Sequence, residues 1–209
     1  MMVGWKWQRP VWMIVAFILY GATAVDAADL LPKPGTWATG FRSGYSVSPR
    51  KVDMVPVHVR LGYTLFKGQK WLFPPGALEL NVEPFASVIT RVTNPGRREG
   101  SMELGIMLPV VTYYFDLSHW NVPYIDRFVP YIEGGLGMLY TDLRGYGLGG
   151  HFSFAETVGV GMAYCLDDNM TFNLGWRFRH MSNAGIYESN SAVNSYMFLA
   201  GFTYFLPGR

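Results

Sequence analysis

The stretch VPVHVRLGYTL, residues 55–65, alternates between two kinds of side chain along its length. The odd positions hold the apolar side chains Val55, Val57, Val59, Leu61, Tyr63 and Leu65. The even positions include His58, Arg60 and Thr64. Because successive side chains of a β-strand point to opposite faces, this pattern predicts a strand with one apolar face and one polar face.

The same two-residue period recurs along the chain and predicts eight strands. They span residues 36–47, 54–66, 77–91, 102–115, 128–141, 151–166, 169–182 and 194–206. Glycine, proline, asparagine and aspartate separate these segments, as turn residues do. No convincing 3.6-residue period of an amphipathic helix appears, so the mature chain is predicted to be all-β.

Two kinds of barrel use such alternation, and they differ in where the apolar face points. A soluble barrel buries that face, whereas a membrane barrel turns it toward lipid and lines the lumen with polar groups. The polar faces of this chain also carry small residues, which suit the narrow interior of eight strands. Four glutamates on them can pair inside with Arg60, Arg177 and Arg179. We therefore favour an eight-stranded antiparallel outer-membrane β-barrel over a soluble barrel.

The first residues resemble those of a secreted protein. Lys6 and Arg9 precede an apolar run at 11–24, which is followed by the small residues of AVDAAD. A basic start, a short apolar core and a small-residue exit are typical of a signal peptide. The run is shorter than the roughly 20 residues of a spanning helix, which argues against a membrane anchor. We predict a signal peptide at 1–27, cleaved after residue 27 or 28, and a single barrel domain at 28–209.

Composition excludes several other classes. The formal net charge of +2 gives no argument for a nucleic-acid partner. Cys165 is the only cysteine, so the chain can form no internal disulfide. The four histidines fall in separate segments, at His58, His119, His151 and His180. The sequence therefore predicts neither a metal site nor a cofactor.

An even number of strands puts both termini of a bacterial outer-membrane barrel on the periplasmic side. The seventh strand then runs outward, and the loop at 183–193 is extracellular. By the same topology, 66–76 and 116–127 are predicted to be periplasmic turns, although both are long for that role.

The segment FRHMSNAG, residues 178–185, breaks the apolar face of the seventh strand. His180 and Ser182 continue the face that carries Phe172, Leu174, Trp176 and Phe178. Asn194 opens the eighth strand and lies on the same face as the lipid-facing aromatic residues of that strand. Polar groups on a lipid face cost free energy, least near the interface. Each residue alone fits an interfacial position among headgroups and water, but three around one hairpin predict a functional site.

The segment RHMSNAGIYESNSAVNSYMFLAGFTYF, residues 179–205, resembles the C-terminal hairpin of the lipid A 3-O-deacylase (PagL) family. That family's pattern is a strand ending His-x-Ser-Asn-Ala, a short loop with asparagine, and a final strand. PYIEGGLGMLYTDL at 130–143 and FSFAETVGVGMAY at 152–164 resemble its glycine-rich strands. The resemblance covers about residues 128–206.

The resemblance implies ester hydrolysis by a serine, a histidine and an acid. Ser182 is then the nucleophile and His180 the general base that takes the proton of the serine hydroxyl. Asn183 and the amide of Gly185 lie beside the nucleophile and are candidates for the oxyanion site.

The chain departs from the family in one residue. The resemblance places the orienting acid twelve residues after the serine, and this chain has Asn194 at that position. An asparagine can accept the imidazole N–H but supplies no charge to imidazolium. Glu156 is a second candidate, because pairing residue 166 with residue 170 would place it opposite His180. Glu188 in the loop is a third, and the sequence leaves the choice open.

A nucleophile on the outer wall can meet an ester that lies in the outer leaflet. The implied substrate is therefore lipid A of lipopolysaccharide, whose acyl esters lie just below the headgroups. The extracellular loops are predicted to hold Arg97, Arg98 and Arg144, which either contact lipid A phosphates or remain solvated. Two other functions stay open: a non-catalytic structural or binding barrel, and a phospholipase.

Overall fold

The computed structural model describes residues 31–49, 52–70, 73–92, 101–118, 127–143 and 148–206. Eight strands follow one another in sequence order and close into a barrel through antiparallel pairing of the first and last. The strands are β1 (Trp37–Val47), β2 (Val52–Lys70), β3 (Phe73–Val92), β4 (Met102–Phe115), β5 (Phe128–Thr141), β6 (Phe152–Cys165), β7 (Met170–Ser182) and β8 (Val193–Phe205). The predicted signal peptide lies outside the described residues.

The eight predicted strands are confirmed, and six of them begin and end within one residue of the prediction. The predicted turn at 66–76 is wrong for most of its length. β2 and β3 continue to pair through it, with Lys67 opposite Ala77 and Lys70 opposite Phe73. Alternation is weak here, so the sequence pattern alone missed the extension. The predicted turn at 116–127 lies mostly outside the described residues.

Aromatic contacts hold the extended hairpin at the periplasmic end. The ring of Phe66 lies 5.6 Å from that of Phe73 and 6.4 Å from that of Tyr113, between centroids. Offset and tilted aromatic pairs at such distances are favourable beyond the area that they bury. These contacts explain why β2 and β3 stay paired on the periplasmic side of Trp37, the first residue of β1.

The outer wall is apolar and the lumen is charged. In the segment at residues 55–65, Leu61 is 50% exposed while Arg60 is fully buried. The same alternation holds in β6 and β8, where exposed and buried residues follow one another. This is the inside-out arrangement of a transmembrane barrel, and it contradicts the soluble alternative. In the described ranges, no helix is long and apolar enough to cross a membrane.

Ion pairs fill the middle of the lumen. Arg177 bridges two buried glutamates, at 2.8 Å from Glu83 and 2.7 Å from Glu133. Arg42 lies 2.9 Å from the same Glu133. Two further pairs complete the set: Arg60 with Glu79 at 2.6 Å, and Arg179 with Glu103 at 2.9 Å. The predicted pairing of lumen glutamates with arginines is confirmed, and Arg42 adds an arginine that the sequence analysis did not include.

Two apolar clusters lie in the lumen as well. The one on the extracellular side includes Met181 and Val193, both fully buried. These two residues flank the outward-facing positions of the β7–β8 hairpin, so the cluster anchors the strand ends that carry the predicted site. The second cluster, toward the periplasm, includes Leu31 of the segment before β1 and Tyr114 of β4.

Replacing the central arginine tests whether the buried ion pairs stabilise the barrel. Arg177→Ala leaves Glu83 and Glu133 without their shared partner, and breaking a buried pair typically costs about 3–5 kcal/mol. We expect urea unfolding of the refolded barrel to shift to lower denaturant by a comparable free energy. Lys33→Ala is the control, because this lysine is exposed and its replacement should cost less than about 1 kcal/mol. Equal midpoints for the two variants would contradict this account.

Candidate active site

The predicted site residues meet on the outer wall near the extracellular end of three strands. In the ladder, His180 of β7 lies opposite Glu156 of β6 on one side and opposite Asn194 of β8 on the other. His180 and Ser182 are half-buried, whereas Glu156 and Asn194 are exposed. The structure therefore brings together the base, the nucleophile and two of the three candidate orienting groups.

Asn194 is in contact with the predicted base. Its Oδ1 lies 2.7 Å from Nδ1 of His180. Because a carboxamide oxygen can only accept, this contact places the imidazole proton on Nδ1. The Nε2 atom of a neutral imidazole then carries the lone pair and can accept a proton.

Ser182 is two residues beyond His180 on the same face of β7, a backbone separation of about 6.6 Å. Its partner in the ladder is Phe154, so an apolar ring flanks the nucleophile on the side of β6. Within the ranges given above, Ser182 Oγ makes no hydrogen bond to His180. Contacts between nucleophile and base are often long in substrate-free enzymes, and side-chain rotation can shorten this one.

Glu156 occupies the position that strand pairing predicted. Its neighbours across the ladder are His180 on β7 and Leu136 on β5. Phe154 and Val158 lie above and below it on the same face of β6. Its side chain makes no hydrogen bond or ion pair with the described residues. The third candidate, Glu188, is exposed in the β7–β8 loop.

Asn183 turns inward and holds the β7–β8 loop. Its Nδ2 donates to the carbonyl oxygens of Leu148 at 2.6 Å and Ser189 at 2.7 Å. Its Oδ1 accepts from the amide of Gly185 at 2.8 Å, and its own amide donates to Oδ1 of Asn190 at 2.9 Å. Both predicted oxyanion donors are therefore engaged within the loops in this conformation. Their oxyanion role stays a prediction, and it requires these bonds to be exchanged when substrate binds.

An apolar groove of about 490 Å³ begins beside the base and crosses the wall from β7 to β4. Its lining residues are Pro109, Val111, Gly134, Gly135, Leu136, Glu156, Thr157, Val158, Phe178 and His180. Gly134 occupies an outward-facing position of β5 between Ile132 and Leu136, and its missing side chain leaves the space. In the neighbouring strand β4, a register shift between Met107 and Val110 lies opposite Gly137 and Gly135 of β5. Sequence analysis missed the groove, although adjacent glycines in a strand with an apolar face are a signal of it.

Metal binding finds no support in the described part of the chain, where no group of three or more ligand-type side chains comes together. Arg97, Arg98, Arg144 and His119 lie outside the described residues. Contacts of the loop arginines with phosphates therefore stay a prediction.

Comparison with known proteins places the chain in a family. The family model described as lipid A 3-O-deacylase (PagL) matches residues 91–203. The crystal structure of the outer membrane enzyme PagL is similar in fold, with a TM-score of 0.54 and 22% identity over 78% of this chain and 97% of that one. Neisserial surface protein A is similar with a TM-score of 0.53 and 16% identity, over 81% and 95% of the two chains. No curated protein matches the sequence.

The family match spans more than half of the chain and includes Glu156, His180, Ser182 and Asn194. At these identities the structural likenesses show the fold alone, that of an outer-membrane β-barrel. Together with the apolar outer wall, they place the chain in the bacterial outer membrane. The chain belongs to the lipid A 3-O-deacylase (PagL) family of outer-membrane enzymes.

Proposed function

We propose that this barrel is a serine esterase that removes an ester-linked acyl chain from lipid A of lipopolysaccharide. The observation that carries the proposal is the 2.7 Å contact between His180 and Asn194, one residue pair away from Ser182 on the lipid-facing wall. An oriented imidazole beside a serine is the arrangement that hydrolases use to activate a hydroxyl.

In the first step, Ser182 Oγ attacks the ester carbonyl carbon while its proton moves to Nε2 of His180. The tetrahedral intermediate collapses when the bond to the sugar oxygen breaks. That oxygen takes the proton from Nε2 and leaves as an alcohol. The acyl chain is then bound to Ser182 as an ester.

In the second step, His180 takes a proton from a water molecule, and the water oxygen attacks the acyl-enzyme carbonyl. The bond to Ser182 breaks, and the serine oxygen recovers its proton from the imidazolium. The products are a free fatty acid and lipid A with one acyl chain fewer. Each step leaves the negative charge of the intermediate on the former carbonyl oxygen, for which we propose the amide of Gly185 and Asn183 as donors.

The position of the site determines which substrates can reach it. Ser182 lies on the outer wall, so an ester dissolved in the lumen or the periplasm cannot contact it. An ester held in the outer leaflet arrives at the correct depth. The apolar groove that starts at His180 offers a surface for an acyl chain, as expected of a site for a lipid substrate.

The two other functions give different outcomes in the same assay. A phospholipase would release fatty acid from phospholipid vesicles and leave lipid A unchanged. A non-catalytic barrel would change neither lipid. The contact of His180 with Asn194 favours an enzyme, because polar and ionisable side chains on a lipid face cost free energy and typically mark functional sites.

Removing either reacting side chain should abolish hydrolysis without unfolding the barrel. Both Ser182→Ala and His180→Ala change outward-facing groups and leave the lumen ion pairs intact. We expect release of fatty acid from purified lipopolysaccharide to fall to background, as in other serine hydrolases. Heat-dependent migration on an SDS gel reports the folded barrel. Hydrolysis by folded Ser182→Ala would rule out this nucleophile.

The role of Asn194 can be tested by separating its hydrogen bond from its size. Asn194→Ala removes the acceptor of the Nδ1 proton, and we expect the rate of deacylation to fall at least about tenfold. Asn194→Asp keeps an acceptor oxygen in the same place and should retain activity. An unchanged rate in Asn194→Ala would show that another group orients the base.

The groove can be tested without changing the chemistry. A Cβ at Gly134 would meet only the carbonyl oxygen of Thr157, at an ordinary 3.6 Å, so Gly134→Leu fills the groove without a backbone clash. We expect it to lower the deacylation of lipid A about tenfold or more while a soluble acetate ester is still hydrolysed. Ala200→Leu, on the outward face of β8, is the control for added bulk. Equal loss on both substrates would contradict a role for the groove in binding the acyl chain.

A further inference from the structure

A carboxylate on the lipid-facing wall of β6 makes no ion pair with any residue that the structure describes. Glu156 is surrounded on that face by Phe154, Val158 and Leu136. An ionised side chain among apolar neighbours at a lipid face costs free energy, even near the interface. The remaining neighbour is His180, directly across the ladder. Residues opposite each other in an antiparallel pair have Cβ atoms about 4.5–5.5 Å apart.

The base needs two things from its surroundings, and Asn194 supplies one of them. Its Oδ1 accepts the Nδ1 proton and so fixes the ring. When Ser182 gives up its proton, the imidazole becomes a cation, and a neutral carboxamide does not compensate that charge. In a water-poor setting an uncompensated charge is costly, because Coulomb energies grow as the dielectric constant falls.

The two neighbours of His180 lie on opposite sides of β7. Asn194 approaches from β8 and occupies Nδ1, whereas Glu156 approaches from β6. Both Glu156 and His180 line the same groove, so the two side chains face a common space. Because Asn194 already accepts the proton on Nδ1, we expect Glu156 to act on the imidazole through its charge and not through a hydrogen bond to that atom.

We propose that Glu156 is the electrostatic partner of His180 and supplies the negative charge that the neutral side chain of Asn194 lacks. This inference rests on the proposed esterase function. The serine proton moves to Nε2 of His180 and then to the leaving oxygen, and no proton passes to the carboxylate of Glu156. It acts through the base and is therefore a positioning residue.

Other charged groups do not face the base from the packed strands. The outward-facing neighbours of His180 on β7 are Phe178 and Ser182, and that on β8 is Asn194. Arg179 is adjacent in sequence but points into the lumen, where it pairs with Glu103. Among the described strand residues around His180, Glu156 is thus the titratable group that can stabilise its charged form.

Neutralising Glu156 and then restoring a charge on the other side of the ring tests this role. In Glu156→Gln we expect kcat for lipid A deacylation to fall at least about tenfold, with KM little changed. The double variant Glu156→Gln with Asn194→Asp should recover most of the rate, since the carboxylate at 194 supplies both acceptor and charge.

Asp168→Asn is the matched control, because it removes one exposed negative charge in the β6–β7 turn at the opposite end of the barrel. All variants are assayed on purified lipopolysaccharide after folding is checked by migration on an SDS gel. A wild-type rate in Glu156→Gln would overturn the inference and leave the Ser182 mechanism intact. A raised KM at constant kcat would assign Glu156 to substrate binding and would also overturn it. Failure of the double variant to recover would exclude a charge role, and inactivity of the wild-type protein would overturn the esterase itself.

Discussion

The ion pairs in the lumen determine where the side chains of His180 and Ser182 point. Arg177 and Arg179 of β7 are buried against glutamates of other strands. Because side chains alternate along a strand, burying these two residues forces His180 and Ser182 to the outer wall. A slip of one residue would expose both arginines to lipid and bury the predicted nucleophile. The charges of the lumen therefore stabilise the barrel and also fix the register on which the proposed chemistry depends.

This register creates a site that differs from that of a soluble hydrolase. The proposed catalytic groups lie on a convex wall, so no enclosing pocket excludes water around them. Lipid and the apolar neighbours of the site take that role, with Phe154 beside the nucleophile and Phe178 beside the base. Hydrogen bonds and charges count for more in such surroundings than in water. The identity of the groups at 156 and 194 therefore matters more here than at a solvated surface.

The alternation of the sequence was sufficient to predict the barrel, because the period of two is regular in β6 and β8 and along residues 55–65 of β2. It failed at 66–76, where aromatic packing at the periplasmic end extends β2 and β3 although alternation is weak. For the site, the pairing of Glu156 with His180 followed from the short turn between β6 and β7. The sequence also indicates that Asn183 points inward, because it lies on the same face of the chain as Arg179 and Met181. Its position next to Ser182 nevertheless led to the prediction of an oxyanion role. The groove and the bonds of Asn183 to Leu148 join segments distant in sequence, which single-strand patterns do not reveal.

The central claim is that an ester of lipid A is cleaved at the outer wall of this barrel. Mass spectrometry of lipid A from outer membranes with and without the protein tests it most directly. We expect the protein to convert lipid A to a species lighter by one ester-linked hydroxyacyl chain, and phospholipids to keep their chains. Lipid A of unchanged mass in membranes that contain the folded barrel would contradict it.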